Sequence, residues 1–599
     1  MFTIARCCLP LPALRHVLGS SPALGVRMAS VFVSALPPLP VFRAVAQHDP
    51  QSTAVLHWPS GRAFTYGRLL LDVARTRDRL REAASGSDLA GKRVAFLVEN
   101  GYDYVVTLLA SLAAGSIAVP LSAAFPPPEL QYILNHSEAS LLVASAKLAA
   151  KADEVLATDL SSRPVLLPLE KLLVGETPEK LVLLDSEAQA AVAATASLML
   201  YTSGTTSRPK GVVLPHTVLE AQSRSLIEAW RYTPKDRILH VLPLNHIHGV
   251  VNALITPLIA GASIEFMFPF NADAVWRRLA APFTSSSDKD ARRPQPVTLF
   301  TVVPTVYSRL LASHRSLPPD LGEAARDAVS PVNMRLAISG SAALPTPIKA
   351  AWRDLSRGNV LLERYGMTEV GMALSCGLDF ADRVDASVGW PLPLVEARLV
   401  DLDSGRPVAE DALDQPGEIQ LRGPTIFSQY WRNPDATART FAPDTDGGQS
   451  WFRTGDVALR RAVPTAGLDH QPWARGPIFF VQGRVSADII KTGGEKVSAL
   501  EVERELLSLP EVAEVAVVAV PSGNWGQKVG AVVVLDREVV QKWTPLEMRR
   551  ALKGRLAGFK IPQTLKVVDS IPRNAMGKVN KKDLVRAVFA DEFSDDEGK

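Results

Sequence analysis

The 599-residue chain contains only three cysteines. Cys7 and Cys8 stand near the start, which leaves Cys376 alone in the body of the chain. Neither a disulfide framework nor a cysteine-based zinc site can be built from that set. An excess of one charge is lacking too: 65 Lys+Arg face 62 Asp+Glu, a formal net charge of +3. Proteins that chiefly neutralise nucleic acid need a concentrated basic face, so this balance argues against nucleic acid as a partner. No run reads as a membrane span. The longest uncharged stretch, Tyr104 to Pro128, is interrupted by Gly115 and Pro120 and ends in Pro126-Pro127-Pro128. It reads as a buried helix turning into a buried strand. Acidic residues are missing from the N-terminus until Asp49, whereas Arg6, Arg15, Arg27 and Arg43 precede it. This acid-free, Ser/Ala/Leu-rich leader predicts a mitochondrial transit peptide over residues 1–34 and a matrix location. A secretory leader is the competing reading, weakened by the lack of cysteines to pair. The C-terminus, E-G-K, lacks the peroxisomal S-K-L address.

What is present is a globular composition, 47% hydrophobic and 21% charged, on a chain long enough for at least two domains. From about Phe42, apolar strand runs alternate with amphipathic stretches. Arg93–Val98 reads as a strand, Tyr102–Ala113 as a helix and Ile117–Leu121 as a strand. The rhythm predicts an α/β fold: a large N-terminal domain, residues 35–484, of mostly parallel sheet covered by helices. A smaller α+β unit of βαβ-like pattern is expected over residues 485–590. In it, Ser498-Ala-Leu-Glu501 and Thr544-Pro-Leu-Glu547 open helices with capping boxes, and Val515–Val520 and Val529–Leu535 form strands. Thr284–Pro296 and Arg461–Pro477 read as inserted surface loops with too little apolar surface to order themselves. Residues 591–599 read as an acidic, disordered tail. No internal repeat is evident.

The run Tyr201-Thr-Ser-Gly-Thr-Thr-Ser-Arg-Pro-Lys-Gly211 follows an apolar strand and precedes another. Its hydroxyls, glycine and lysine offer donors and positive charge to phosphate oxygens. It is not a Walker loop, because Lys210 is followed by Gly211 rather than Ser or Thr. Composition alone leaves open an ordinary flexible loop.

The run resembles the phosphate-binding signature of the adenylate-forming enzymes, which include acyl-CoA synthetases, luciferases and peptide-synthetase adenylation domains. Further motifs follow in that family's order: Leu242-Pro-Leu-Asn-His-Ile-His-Gly249, Ser339-Gly-Ser-Ala342, Tyr365-Gly-Met-Thr-Glu369, Thr454-Gly-Asp456, Gly483-Arg484 and Pro572-Arg-Asn-Ala-Met-Gly-Lys578. Ser207 departs from the family's usual glycine. The resemblance implies a two-step reaction. A carboxylate attacks the α-phosphate of ATP to give an acyl-adenylate and pyrophosphate, and the thiol of coenzyme A then displaces AMP. Thr202, Ser203, Gly204, Thr205 and Thr206 with Lys210 would hold the β- and γ-phosphates, and Glu369 would place Mg²⁺. Asp456 would accept the ribose hydroxyls, with Arg484 completing the ribose and phosphate contacts. Gly340, Ser341, Ala342, Tyr365 and Gly366 would form the adenine slot, with Thr368 near the α-phosphate. Lys578 would be the adenylation lysine, carried on a small domain that rotates about a hinge at Ser486–Asp488. Gly493-Gly494 would approach the pantetheine tunnel; taken alone, that pair is a β-turn.

Within that resemblance, Arg364 precedes the Tyr-Gly-Met-Thr-Glu run where many relatives have a small residue. Pro304-Thr-Val-Tyr-Ser-Arg309 places a second arginine on a segment expected to border the acyl pocket. The combination is similar to malonyl-CoA synthetases, because a second carboxylate cannot be buried without a cation. His246 and His248 lie on the pocket-side motif as an added donor and catalytic candidate. Two histidines at i and i+2 without a third ligand make a poor metal site. Asn245 replaces an aromatic or histidine. The expectation is a monomeric ATP-dependent ligase for malonate, with methylmalonate left open as a second acid, possessing no transmembrane segment. Alternatives are a medium-chain or aryl-CoA ligase with an apolar pocket, an enzyme loading a carrier protein, and a nucleotide-binding scaffold without chemistry.

Overall fold

The computed structural model describes residues 35–86, 88–173, 184, 192, 194–202, 208–284, 293–444, 448–468, 471–522, 526–573 and 579–590. The strand runs of the first 400 residues assemble into two large, mainly parallel sheets. The first contains Arg93–Leu97, Ile117–Pro120, Leu141–Ser145, Val165–Leu169 and Ser197–Thr202, all parallel, with Lys210–Pro215 and Gln429–Tyr430 added antiparallel at one edge. The second runs parallel through Thr53–His57, Ser263–Phe266, Arg237–His240, Leu299–Val302, Leu336–Gly340 and Leu362–Met367. Antiparallel strands close both of its edges.

The strands are apolar on both faces because helices cover both faces. Tyr66–Ala83, Tyr102–Ala113 and His216–Trp230 contribute to one continuous core that includes residues of both sheets. The helices Ala272–Ala280, Pro304–His314, Pro319–Val329 and Thr346–Leu355 form a second core on the nine-stranded sheet. Pro127–Ser137 and Ala149–Leu156 do the same on the seven-stranded one. Even the ion pairing inside is local: Glu265 on a central strand is buried between Arg278 and Arg237. Among the described residues no helix is long and apolar enough to cross a membrane.

A third sheet departs from the expected parallel pattern. Glu396–Val400, Gly417–Arg422, Phe441–Ala442, Trp451–Arg461 and Ile478–Arg484 pair entirely antiparallel. The expectation of an unordered loop across Arg461–Pro477 is also corrected. Gln471 donates to Ala229 O at 2.9 Å and accepts from Leu378 N at 2.7 Å. Ala474 packs with Trp390, Ile478 and Phe480 in a small core of its own, so a few buried contacts suffice to fix the segment. Most of the other insertion, residues 285–292, lies outside the described residues, as do residues 1–34 and 591–599.

The last strand of the third sheet ends at Arg484, and the first strand of a fourth sheet begins at Ile489. This small unit combines a long antiparallel hairpin, Val512–Ser522 with Gly526–Leu535, with one βαβ crossover through helix Pro545–Leu552. Only Thr564–Val567 joins it in parallel. The Thr544 capping box is complete in both directions, whereas Ser498 shows the forward half, accepting from Glu501 N at 3.1 Å.

Candidate active site

Ligand sites in open α/β sheets gather where parallel strands end at their carboxyl side, because the connecting turns there expose backbone and side chains together. Here Thr202, Gly340 and Met367 terminate parallel strands of the two large sheets. Thr202 pairs with Lys210 as the last rung of the hairpin that carries the phosphate-loop run. Ser203, Gly204, Thr205 and Thr206, and likewise Ser207, lie outside the described residues, as does Lys578. The Lys210 ammonium stands 4.7 Å from the ring centre of Tyr430. The Tyr430 hydroxyl donates to Glu369 Oε1 at 2.8 Å. Tyr430 thus joins the edge of one sheet to the turn at the end of the other, and it positions a cation beside a carboxylate.

Glu369 is 8% exposed, and burial raises its pKa above the ordinary carboxylate range, although Tyr430 and the nearby positive charges oppose the shift. A buried carboxylate with one oxygen already bonded is a poor isolated anion and a good partial ligand for a hard cation. Among the described residues no cluster of three or more acidic, histidine or cysteine side chains could cage a metal alone. One protein carboxylate plus phosphate oxygens is the usual share of a nucleotide-bound Mg²⁺, and Glu369 fits that role.

The ribose candidates form a second knot. Arg484 Nε donates to Asp456 Oδ1 at 2.8 Å, and Tyr365 OH donates to Asp456 Oδ2 at 2.6 Å. Burial works against the Arg484 charge, but Asp456 outweighs it and holds the guanidinium above its ordinary range. Each carboxylate oxygen of Asp456 has two lone pairs, which leaves capacity for hydroxyl donors. Ser341 has φ 70, a conformation non-glycine residues rarely adopt and one that costs about 1–3 kcal/mol where it is kept. Gly366 near the end of strand Leu362–Met367 and Thr368 in the turn after it are half-buried, and Ala342 is exposed.

Arg364 is the most unusual group. It is 3% exposed, and no carboxylate among the described residues pairs with it. Burial pulls its pKa down to about 9, so it stays charged at neutral pH. Its Nη2 donates to His248 Nδ1 at 2.7 Å and lies 3.5 Å from Ser341 Oγ, while Nε and Nη1 have no hydrogen-bond partner among the described residues. Gly340 sits opposite Arg364 on the neighbouring strand, and a Cβ there would lie 2.5 Å from Nη1. The bare glycine is what makes room for the guanidinium.

His248 bonds Thr301 Oγ1 at 2.6 Å through its other ring nitrogen. Since Nδ1 accepts from arginine, Nε2 must carry the proton and donate to Thr301. Burial, then the neighbouring positive charge of Arg364, push the His248 pKa well below the usual value. With both nitrogens engaged, the ring is suited to holding Arg364 rather than to transferring protons. His246 is half-buried, with Asn245 Nδ2 3.5 Å from its Nε2.

Arg309 does not join this group. It lies on the exposed side of helix Pro304–His314, stacked 4.8 Å from the ring centre of Phe270. The helix turns Val306, Tyr307 and Leu310 inward instead, so the expected two-arginine clamp reduces to Arg364. Gly493 and Gly494 form an exposed hairpin turn with φ 58 and 88, and Lys496 on the same hairpin pairs with Asp403 at 2.7 Å. Sequence reasoning missed Tyr430 and Thr301. Neither stands in a motif, and only folding brings them to Glu369 and His248.

Comparison with known proteins agrees with this architecture. Residues 42–431 match the family described as AMP-binding enzyme, and residues 501–578 match its C-terminal domain. The chain is 54% identical over 577 residues to a CoA ligase of Gibberella moniliformis, covering 92% of this chain and 94% of that protein. It is 40% identical over 519 residues to the mitochondrial malonate–CoA ligase of Mus musculus, covering 84% and 82%. A crystal structure of ATP-bound MatB from Rhodopseudomonas palustris superposes with a TM-score of 0.72 at 31% identity, covering 92% of this chain and 98% of that one. The chain belongs to the AMP-binding enzyme family.

Proposed function

We propose that the protein joins malonate to coenzyme A, using ATP and passing through a malonyl-adenylate, with AMP and pyrophosphate released. The observation that carries this reading is the buried guanidinium of Arg364, which pairs with no carboxylate among the described residues. A charge kept from water without a counter-ion is costly, and an anionic ligand relieves that cost while accepting a charge-assisted hydrogen bond from a free guanidinium N–H, at Nε or Nη1. A monocarboxylate with an apolar tail would leave the penalty in place. Malonate supplies one carboxylate for activation and a second for Arg364, and relatives named malonate–CoA ligase support the choice.

The remaining residues take the roles that the family resemblance implies, and the geometry of the described ones supports them. Lys210 and Thr202, with the loop between them, hold the phosphate chain. Asp456 and Arg484 hold the ribose, and Tyr365 fixes the Asp456 carboxylate. Mg²⁺, when bound through Glu369 and phosphate oxygens, lowers the negative charge that an incoming carboxylate meets. Lys578 supplies a compact positive charge to the α-phosphate. His248 and Thr301 aim the guanidinium. The arginine-bearing leader and relatives named as mitochondrial support action in the mitochondrial matrix. A panel of short and medium mono- and dicarboxylic acids, assayed for acid-dependent pyrophosphate release with ATP and Mg²⁺ and for thioester with coenzyme A, tests the reading. Malonate is expected to dominate; a preference for a longer monocarboxylate would overturn it.

A further inference from the structure

Between the ribose knot and the small unit lies a half-buried ion cluster that the chemistry above does not use. Lys581, the first residue of helix Lys581–Val588, donates to Asp488 Oδ1 at 2.6 Å and pairs with Glu503 at 2.7 Å. The three side chains are 12%, 17% and 16% exposed. The other oxygen of Asp488, Oδ2, accepts the backbone N–H of Arg484 at 3.0 Å. Arg484 belongs to the third sheet and grips Asp456, whereas Lys581 and Glu503 belong to the small unit.

The turn that joins them is tightly wound. Asp488 N donates to Arg484 O at 2.8 Å, Ala487 N to the same oxygen at 3.1 Å, and Val485 N to Gly455 O at 2.9 Å. Gly483, at φ 122, has the Asp488 Cγ 3.2 Å from where a Cβ would stand, so the carboxylate folds back over a glycine that leaves space for it. Although burial works against its charge, Glu503 and Asp488 hold the Lys581 ammonium above the ordinary lysine range. Truncating one partner of such a cluster leaves the others half-buried and uncompensated.

We infer that Lys581 and Asp488 form a latch across the interdomain turn, with Lys581 acting as a positioning residue for the adenylation half-reaction. The carboxylate has one oxygen on each side of the turn. Rotation of the small unit about Ser486–Asp488 carries Lys581 with it and leaves the Arg484 N–H behind, so Asp488 cannot keep both partners. The closed latch ties the start of the last helix to the ribose-binding carboxylate through Asp488 and Arg484. The latched arrangement is therefore the one suited to activating the carboxylate, and release belongs to the step in which thiol attacks. The inference rests on the two-step ligase reaction proposed above.

The test uses the full-length protein as wild type, Lys581→Met, Asp488→Asn and Lys581→Arg, with Lys560→Met, which removes the small unit's Lys560–Glu501 pair, as a control. Acid-dependent pyrophosphate release without coenzyme A reads the first half-reaction, with whichever acid the wild type activates. Consumption of synthetic acyl-adenylate by coenzyme A reads the second. Lys581→Met and Asp488→Asn are expected to lose about tenfold or more in the first relative to the second, while Lys581→Arg stays near wild type. Amide hydrogen exchange over residues 485–490, measured without substrates, is expected to quicken in the same two variants and not in the control. Equal losses in both half-reactions, or unchanged exchange, overturn the latch. Because the exchange reading needs no acid, an error about malonate leaves it intact. Asp488→Asn, nearly isosteric, decides the matter if Lys581→Met does not fold.

Discussion

Arg364 is held by three features visible at the level of single residues: a bare Gly340 beneath it, a neutral His248 beside it and no carboxylate within pairing distance among the described residues. Arg309, by contrast, is exposed on Phe270, and Arg309→Ala is expected to leave the malonate KM within about twofold of wild type, as surface substitutions usually do. A large rise in KM would return Arg309 to the pocket. Asp456→Asn keeps the shape but loses the charge that both Arg484 and ribose hydroxyls need, so the ATP KM is expected to rise about tenfold or more in steady-state assays. These motif residues were legible in the sequence because each sits in a short run whose chemistry is local. Tyr430 and Thr301 were not, since their partners lie in distant parts of the chain and only sheet packing joins them.

Elements bring those residues into range. Leu336–Gly340 and Leu362–Met367 run in parallel and in register, so Gly340 and Arg364 meet as cross-strand neighbours. Gly340→Ala would drive a methyl group into the guanidinium. The expected result is a malonate KM raised about tenfold or more, with a lowered thermal midpoint, because the buried guanidinium must shift at a cost of about 1–3 kcal/mol. A KM at the wild-type level would show that Arg364 need not occupy that position. The helix Tyr102–Ala113 and the strands beside it followed directly from hydrophobic periodicity. The antiparallel third sheet did not, because its short strands carry no signal of partner or direction. Nor did the ordered segment after Arg461, whose anchors Gln471 and Ala474 find their contacts far away in the chain.

At the scale of the whole molecule, two buried histidines link stability to pH. Burial lowers His240 to about 4 and His248 well below 6.5. Between pH 6.5 and about 4 the unfolded chain therefore binds protons that the folded His240 refuses, and stability falls as pH drops through that window. Its contribution is at most about 1.4 kcal/mol per pH unit. Thermal midpoints followed from pH 7 downward are expected to fall less steeply in His240→Asn than in wild type; parallel slopes would contradict this. The two large sheets end Thr202, Gly340 and Met367 at the carboxyl side of parallel strands, where the proposed nucleotide and acid residues gather. In the proposed reaction a buried positive charge chooses the acid. Comparing kcat/KM for malonate and for propionate in wild type and Arg364→Gly tests it most directly. The account predicts that the variant loses about a hundredfold or more with malonate and far less with propionate, as expected when a buried charge partner is removed. An equal loss with both acids would contradict it.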